Sequence, residues 1–511
     1  MHCWHRFLTL TNDSCELTFI LLSIAICDGE KIYVVLGYCC FIDFYETNSN
    51  FAFEFNLALC CGNQYAMDED KFALVEKIIK DIDNVMLKND ELCAFDIVPV
   101  ESNFQNKSPV LHLEYCLGLE SWCVKHVYMY CYSEIMDKYL SKPKRKNFKL
   151  TSIHSEKLAR LLNVTLLLNP DLSTLWNKRR EMVLKCFLDK GSELRFTRLV
   201  LSRKPKCNDA YAYRRWLLEL ILQDESLQLN RIEVLVNEEL FICELAADKS
   251  PNNYHSWNHR MWLVNTLKTI QRRFDMNLLY IKEYVFSERW TSKHVSDFSC
   301  FHYRQFCIKN VLTMDNDTWK TFQNNLDTNL RKNFVRVVAD NLPKDITADT
   351  SEANLLTYTD DNLMNLLLSY TTKNCNCATN NTFVCRKLEI LYHELVLNNE
   401  LLQFYKYHET LWYHRRYIVH EVMSTIYDYF GLTRQNGALV KNICSKCNID
   451  VLRQKQAKIV RYDSQRIYSS VLFNILLGHE KKFIEERRSD SDNYADRHEK
   501  YMKFVEGLNI M

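Results

Sequence analysis

Glycine and proline are almost missing from this sequence, 9 and 7 residues in a chain of 511, about a quarter of the share an average globular chain carries. Sheets of many short strands need glycine- and proline-rich corners, whereas long helices exclude both residues from their interiors. An all-β sandwich or barrel is therefore ruled out and an all-α chain is expected. With 47% hydrophobic and 13% aromatic residues the chain can bury a large core. Lys plus Arg number 65 against 64 Asp plus Glu. No global charge points to nucleic acid or an anionic membrane, and any basic surface must be local.

The 21 cysteines are mostly scattered singly in apolar runs, as at Cys186, Cys243 and Cys307, which suits small buried hydrophobes in a reducing cytoplasm. Cys444-Ser-Lys-Cys447 is one CxxC without a second pair or a nearby His, and Cys375, Cys377 and Cys385 flank an Asn-rich stretch. Both groups read as free thiols rather than metal ligands, so no metal is assigned to this chain.

Residues 1–66 differ from the rest. They hold 7 of the 21 cysteines and an apolar run, Leu17 to Cys27, too short for a bilayer span of about 20 residues. Asp13 and Glu16 spoil a signal-peptide reading, and no transmembrane segment is expected. At Met67 the composition changes to an amphipathic helix carrying Phe72, Val75, Ile78, Ile79 and Ile82 on one stripe. The expectation is that the natural protein starts at Met67, with the preceding segment an extension or a gene-model error.

The remainder repeats. Asn169-Pro170 precedes Trp176-Asn-Lys-Arg179-Arg180; Lys204-Pro205 precedes Tyr211-Ala-Tyr-Arg214-Arg215; Ser250-Pro251 precedes Trp257-Asn-His-Arg260. In each, proline lies six residues before the aromatic and Arg three after it. Weaker copies follow at Phe301-His-Tyr-Arg304 and Trp412-Tyr-His-Arg415. Successive aromatics are 35, 46, 44 and 111 residues apart, the spacing of one helix pair with an insertion in the last gap. In the third copy Ile232, Val236, Leu240, Phe241 and Leu245 form a helical stripe, Pro251 breaks it, and a second helix follows. The aromatics Trp176, Tyr211, Trp257, Phe301 and Trp412 are expected to wedge between the two helices of a hairpin. The arginines Arg179, Arg214, Arg260, Arg304 and Arg415 would reach carbonyls at the preceding helix's C-terminus or an acidic neighbour. Tyr254 and His255 fall at a helix N-terminus, where free N–H groups favour an anion.

Pro251-Asn-Asn-Tyr254-His-Ser-Trp257-Asn-His-Arg260 resembles the P-x-N-Y-x-x-W-x-x-R signature of protein prenyltransferase α subunits. The wider context, including Gly118-Leu-Glu-Ser-Trp122 and His408-Glu-Thr-Leu-Trp412-Tyr-His-Arg415, is most similar to the repeat-containing branch of that family. The resemblance covers residues 67–312 and about 385–425, with a degenerate match near 494–505. It implies a right-handed α-α superhelix of helical hairpins, a solenoid wrapped around a β subunit. That subunit would be shared with the Rab geranylgeranyltransferase and would hold the catalytic zinc, with geranylgeranyl diphosphate as co-substrate. The implied protein substrates carry a C-terminal cysteine, including a SNARE that already bears a farnesyl group. This chain would hold no cofactor and no catalytic residue of its own.

On the diphosphate side and the subunit interface the resemblance places Tyr254, His255, Asn252, Lys293, His294, Asp297 and His302. Asn252 stands where farnesyltransferase-type α subunits carry a lysine, Asp297 where they carry Asn, and Phe301 where they carry Trp. The missing charge falls to the β subunit or to Lys249, Lys293 or His294. The expected organisation is an atypical extension, 1–66; N-terminal helices, 67–150; the repeats, 151–312; a polar, partly disordered insertion, 313–384; and the last repeat with capping helices, 385–511. Within these, Lys142-Pro-Lys-Arg-Lys146 reads as a solvated loop rather than a nuclear-localisation signal. Two function classes compete. One is the α subunit of a protein geranylgeranyltransferase; the other is a non-catalytic helical scaffold that binds a partner protein on its concave face. The drifting spacing and the recurrent Trp-x-x-Arg favour the first.

Overall fold

The computed structural model describes chiefly residues 69–100, 108–140, 152–270, 274–314, 329–344, 350–367, 378–429, 471–490 and 493–510, together with short strands within 9–39 and 432–441. The chain divides into two units, 1–77 and 78–511. In the first, strands β1 (Thr9–Leu10), β2 (Phe19–Asp28) and β3 (Lys31–Cys39) form an antiparallel ribbon. The helix α1 (Glu69–Lys88) follows the composition change at Met67, and its Ile78, Ile79 and Ile82 are buried.

Residues 67–150, expected to hold N-terminal helices, carry two of them among the described residues and also a small sheet. Strands β4 (Ala94–Val98), β5 (Val110–Leu113) and β6 (Cys116–Glu120) pair in the order β4-β6-β5. These apolar runs are four to five residues long, short of a helix and long enough for a strand. Gly118 sits at the centre because a Cβ there would meet Val98 Cγ2 at 3.1 Å and Leu111 Cβ at 3.3 Å. Helix α2 (Ser121–Ile135) leaves the sheet directly.

The rest of the second unit is an all-α repeat solenoid. Six hairpins follow: α3 (Ser152–Leu168) with α4 (Ser173–Leu184), α5 (Lys190–Arg203) with α6 (Asn208–Leu222), α7 (Leu229–Lys249) with α8 (Tyr254–Thr269), and α9 (Met276–Lys293) with α10 (Phe298–Leu312). After helices α11 (Leu330–Asn341), α12 (Glu352–Thr357) and α13 (Asp360–Leu367) come α14 (Ala378–Phe404) with α15 (Glu409–Tyr429), and α16 (Val471–Arg487) with α17 (Tyr494–Ile510). A β-ribbon, β7 (Leu432–Gln435) and β8 (Ala438–Lys441), follows α15. The second helices stack in the order α4, α6, α8, α10, α15, α17, and the first helices α3, α5, α7 stack beside them. Among the described residues each hairpin packs chiefly on its neighbours, the logic of a solenoid.

Helix starts within and between the hairpins obey cap chemistry. Asp189, Asn253, Asp275 and Asp297 each accept from a backbone N–H two or three residues on, satisfying donors that a helix start leaves open. The largest core joins α11, α13, α14, α15 and α16 through Val335, Val338, Leu363, Leu391, Val422 and Leu472, all buried. The segment expected to be a polar insertion thus supplies helices to that core. It is rich in Asn and Asp, while the apolar faces of α11 and α13 and Leu355 of α12 do the packing. The Lys142–Lys146 cluster, Cys375, Cys377, Cys444 and Cys447 lie outside the described residues.

Candidate functional site

The repeat motif assembles into a buried polar relay between hairpins. Arg179 on α4 grips Glu193 on α5 through Nε and Nη2, at 2.7 and 2.5 Å. Arg214 on α6 does the same to Glu239 on α7, at 2.7 and 2.6 Å. Arg260 on α8 holds Glu283 on α9, at 2.6 and 3.0 Å. Arg304 on α10 holds Glu394 on α14, and Arg415 on α15 holds Glu480 on α16, at 3.0 and 2.7 Å. All ten side chains are buried. A bidentate guanidinium–carboxylate pair is the geometry that best offsets the desolvation of two charges.

Each arginine turns Nη1 back to its own hairpin's first helix. The acceptors are Asn163 Oδ1, Leu194 O, Leu240 O, Tyr284 O and Asn399 Oδ1. The expected acidic neighbour is therefore real, but the carbonyls lie in the bodies of the preceding helices, not at their C-termini. The residue before each later arginine closes the node. Tyr213, His259, Tyr303 and His414 reach the same Glu193, Glu239, Glu283 and Glu394, and His498 reaches Glu480. Burial opposes the charge on Glu239, yet Arg214 and His259 overcome it and hold the carboxyl at about 2. Burial also pushes His259, His414 and His498 below the ordinary imidazole value, which favours the neutral ring; His259 and His498 lie 3.1 and 2.9 Å from their glutamates and His414 lies 3.6 Å from its own.

The repeat aromatics reach beyond their own hairpins, although Trp176 also donates its Nε1 to Pro170 O in its own hairpin turn at 2.8 Å. Each packs on the node residue of the next one: Trp176 on Tyr213, Tyr211 on His259, Trp257 on Tyr303, Phe301 on His414 and Trp412 on His498, with ring centroids 5.0 to 5.9 Å apart. Aromatic and arginine thus bind one hairpin to its successor. Sequence reasoning missed the five glutamates and the Tyr or His before Arg. A signal existed: Phe196, Phe286 and Phe483 stand three residues after Glu193, Glu283 and Glu480, and each carries an arginine over its ring at 3.4 to 4.0 Å.

The predicted rim residues occupy the turns before α8 and α10. Asn253 is fully buried; its Nδ2 donates to Pro205 O at 2.7 Å and Ala246 O at 3.1 Å, tying the third hairpin to the second. Tyr254, beside it, stays 55% exposed, edge-on to half-buried His255. Asn252 has a positive φ of 54° and its Oδ1 accepts from Phe298 N at 3.0 Å, so it links the third hairpin to the fourth. Asp297 is buried and caps α10. His294 stacks on Trp290 at 4.3 Å and lies 4.0 Å from Asp248, while Lys293 and His302 are exposed. Lys249 gives Nζ to Ser202 O at 2.6 Å. The structure brings Tyr254 and His255 together on one turn and Lys293, His294, Asp297 and His302 around the next.

One further cluster bears on metal binding. Asp360, Cys385 and Glu389 present ligand atoms within 4.8 Å of one another, a grouping the sequence did not reveal because α13 and α14 bring it together. Arg331 Nη1 stands among them, 3.0 Å from Asp360, 3.5 Å from Cys385 and 2.7 Å from Glu389. A guanidinium already fills the place a cation would take. Burial, then Asp360, push the Glu389 carboxyl up to about 7 against that arginine.

A family model described as protein prenyltransferase alpha subunit repeat matches residues 191–221, 236–267 and 280–311, the second, third and fourth hairpins. The chain is 30% identical over 362 residues to protein prenyltransferase alpha subunit repeat-containing protein 1 of Homo sapiens, covering 68% of this chain and 78% of that one. It is 30% identical over 372 residues to protein 1-A of the same name from Xenopus laevis, covering 70% and 74%. Over 167 residues it is 24% identical to the geranylgeranyl transferase type-2 subunit alpha of Candida albicans, covering 30% of this chain and 43% of that one.

Proposed function

From the premise that this chain belongs to the protein prenyltransferase α subunit repeat-containing family, we propose that it is the α subunit of a heterodimeric protein geranylgeranyltransferase. The observation that carries this reading is the contrast within one motif. Asn253, Trp257 and Arg260 are buried in hairpin packing, while Tyr254 is kept in the open at the start of α8. A hydroxyl held there is placed to donate to a diphosphate oxygen as negative charge builds on the leaving group. The similarity to a geranylgeranyl transferase type-2 α subunit supports the lipid class. In this reading the β subunit, of the Rab geranylgeranyltransferase type, holds the zinc and the isoprenoid. This chain braces it, lines the diphosphate side and helps position a protein tail that ends in cysteine, a farnesylated SNARE among the candidates.

No helix among the described residues is long and apolar enough to cross a membrane, and the described cysteines are free thiols, which supports action in the cytoplasm. The test is reconstitution. The full chain is copurified with candidate β subunits and supplied with labelled geranylgeranyl diphosphate and a substrate tail. Transfer by the heterodimer and none by the chain alone is the expected result. Transfer by the isolated chain, or no stable complex with any β subunit, overturns the proposal.

A further inference from the structure

A cavity of about 600 Å³ opens between the first helices of the second and third hairpins, α5 and α7, bordered by Asp90 of the turn after α1. That is the size of an ordinary ligand cleft, about 300 to 1,000 Å³. Part of its lining is apolar: Leu194 of α5, Ile221 of α6, and Leu235 and Ile242 of α7. Along α7 the lining runs from Arg231 to Ile242, about 16 Å at the helical rise. About five residues of extended chain cover that distance.

The charges around the cavity are not balanced among themselves. Arg214 is committed to Glu239, and Arg195 pairs with Asp90 at 3.3 Å. Asp189 caps α5, accepting from Ser192 N at 2.8 Å. Arg198, half-buried in the wall, has no carboxylate within ion-pair distance among the described residues. Its Nη2 donates to the carbonyls of Asp90, at 3.3 Å, and Leu92, while its Nε is buried without a partner. Backbone carbonyls thus fix the guanidinium in place and leave it without a counterion.

Lys190 and Arg231 are exposed in the first turns of α5 and α7, and neither has an ion-pair partner among the described residues. A cation at a helix start opposes the macrodipole, so helix stability does not explain either one. Both starts lie on the same rim, because α5 and α7 are the first helices of stacked hairpins. Glu238, also exposed and unpaired, is the one acid of the lining left over. Three cations without carboxylates therefore share the cavity with one free acid and an apolar wall.

We propose that this cavity is a docking site for an acidic, extended peptide segment of a partner protein, with carboxylates alternating with apolar side chains. Charge complementarity sets the sign of the partner, and the depth and apolar lining set its form. A nucleic acid or a flat anionic membrane would press its charges on Asp90, Asp189 and Glu238, which line the same cavity. A peptide instead has backbone N–H groups to turn towards those acids. The proposal does not rest on the enzyme reading above.

A fluorescein-labelled Glu-Leu-Glu-Leu-Glu peptide is titrated by fluorescence anisotropy into the full chain and into its heterodimer with a β subunit. Saturable binding that weakens with added salt is expected, with none of the Gln-Leu-Gln-Leu-Gln or Lys-Leu-Lys-Leu-Lys counterparts. Arg231→Gln should weaken it about threefold to fivefold, and Arg231→Glu about tenfold or more. Glu238→Lys should tighten it about threefold, a gain that a folding defect cannot produce. Arg198→Gln should weaken it about tenfold. Melting temperature is followed in parallel, and if Arg198→Gln unfolds the chain, the Arg231 and Glu238 variants decide. No saturable binding, equal binding of the neutral peptide, or an affinity indifferent to Arg231 and Glu238 overturns the site. Arg231-dependent capture on phosphatidylserine vesicles without peptide binding overturns it too. So does loss of peptide binding in the heterodimer, which would make the cavity part of the subunit interface.

Discussion

Glu239 is fully buried on α7 and serves three helices at once, accepting from Arg214 on α6 and from His259 on α8. Replacing it with glutamine keeps the shape and removes the charge, so Arg214 is left buried without its counterion. Breaking a buried pair from one side costs about 3 to 5 kcal/mol. Glu239→Gln should therefore lower the melting temperature sharply while an exposed control such as Glu238→Gln leaves it in place, both read by differential scanning calorimetry. Tyr254 is the opposite kind of residue. It is 55% exposed and its hydroxyl is absent from the hydrogen bonds that hold the hairpins together. Tyr254→Phe should leave the melting temperature and β-subunit copurification unchanged. It should slow prenyl transfer by about a hundredfold, the usual loss of one donor to a developing anion. Wild-type turnover in a well-assembled variant would assign Tyr254 to the surface alone.

At the scale of the helix, Trp257 makes the comparable case. It is 2% exposed and sits among Tyr303, Trp290 and Phe286 of the next hairpin. Truncating a buried Trp costs about 3 to 5 kcal/mol, and here the loss falls on the joint between two hairpins. Trp257→Ala should lose stability and β-subunit binding together; a stable but inactive variant would make Trp257 a site residue. The helices themselves were legible because proline, aromatic and arginine recur at fixed offsets, and each offset corresponds to a turn, a ring contact or a guanidinium grip. Which face of α7 looks inward was not. The apolar stripe Ile232, Val236, Leu240, Phe241 and Leu245 is half right, since Phe241 is 57% and Leu245 45% exposed. The inner face instead carries Glu239 and Cys243, and a hydrophobicity pattern cannot place an acid in a core when its partners come from other hairpins. For the same reason Tyr254 and His255 could be named from their place at a helix start, while Arg215 could not. Its contact is with His259, 44 residues away.

Along the whole solenoid the nodes act in series. Arg304 still finds Glu394 although 90 residues separate them, so the helices between the fourth and fifth hairpins are accommodated without breaking the sequence of joints. Two waves of acid sensitivity follow from the node chemistry. His259, His414 and His498 are neutral in the fold with pKa values lowered chiefly by burial, so the unfolded chain binds more protons as pH falls through about 6.5. The stability they permit is complete above that value and declines below it. Glu239, held at about 2, contributes stability that is complete above the ordinary carboxylate range and is lost as pH falls from about 4.5 towards 2. The melting temperature should thus be level from pH 8 to about 6.5, fall through the first wave and fall again through the second. The first wave can be reduced on its own, because two nodes already use tyrosine where the others use histidine. Tyr213 and Tyr303 reach their glutamates without a group that titrates near neutrality. Replacing His414 and His498 with tyrosine, and leaving His259 to hold Arg215, should flatten the decline between pH 6.5 and 5 while the carboxylate wave persists. An unchanged profile in that variant would place the acid sensitivity outside those two nodes.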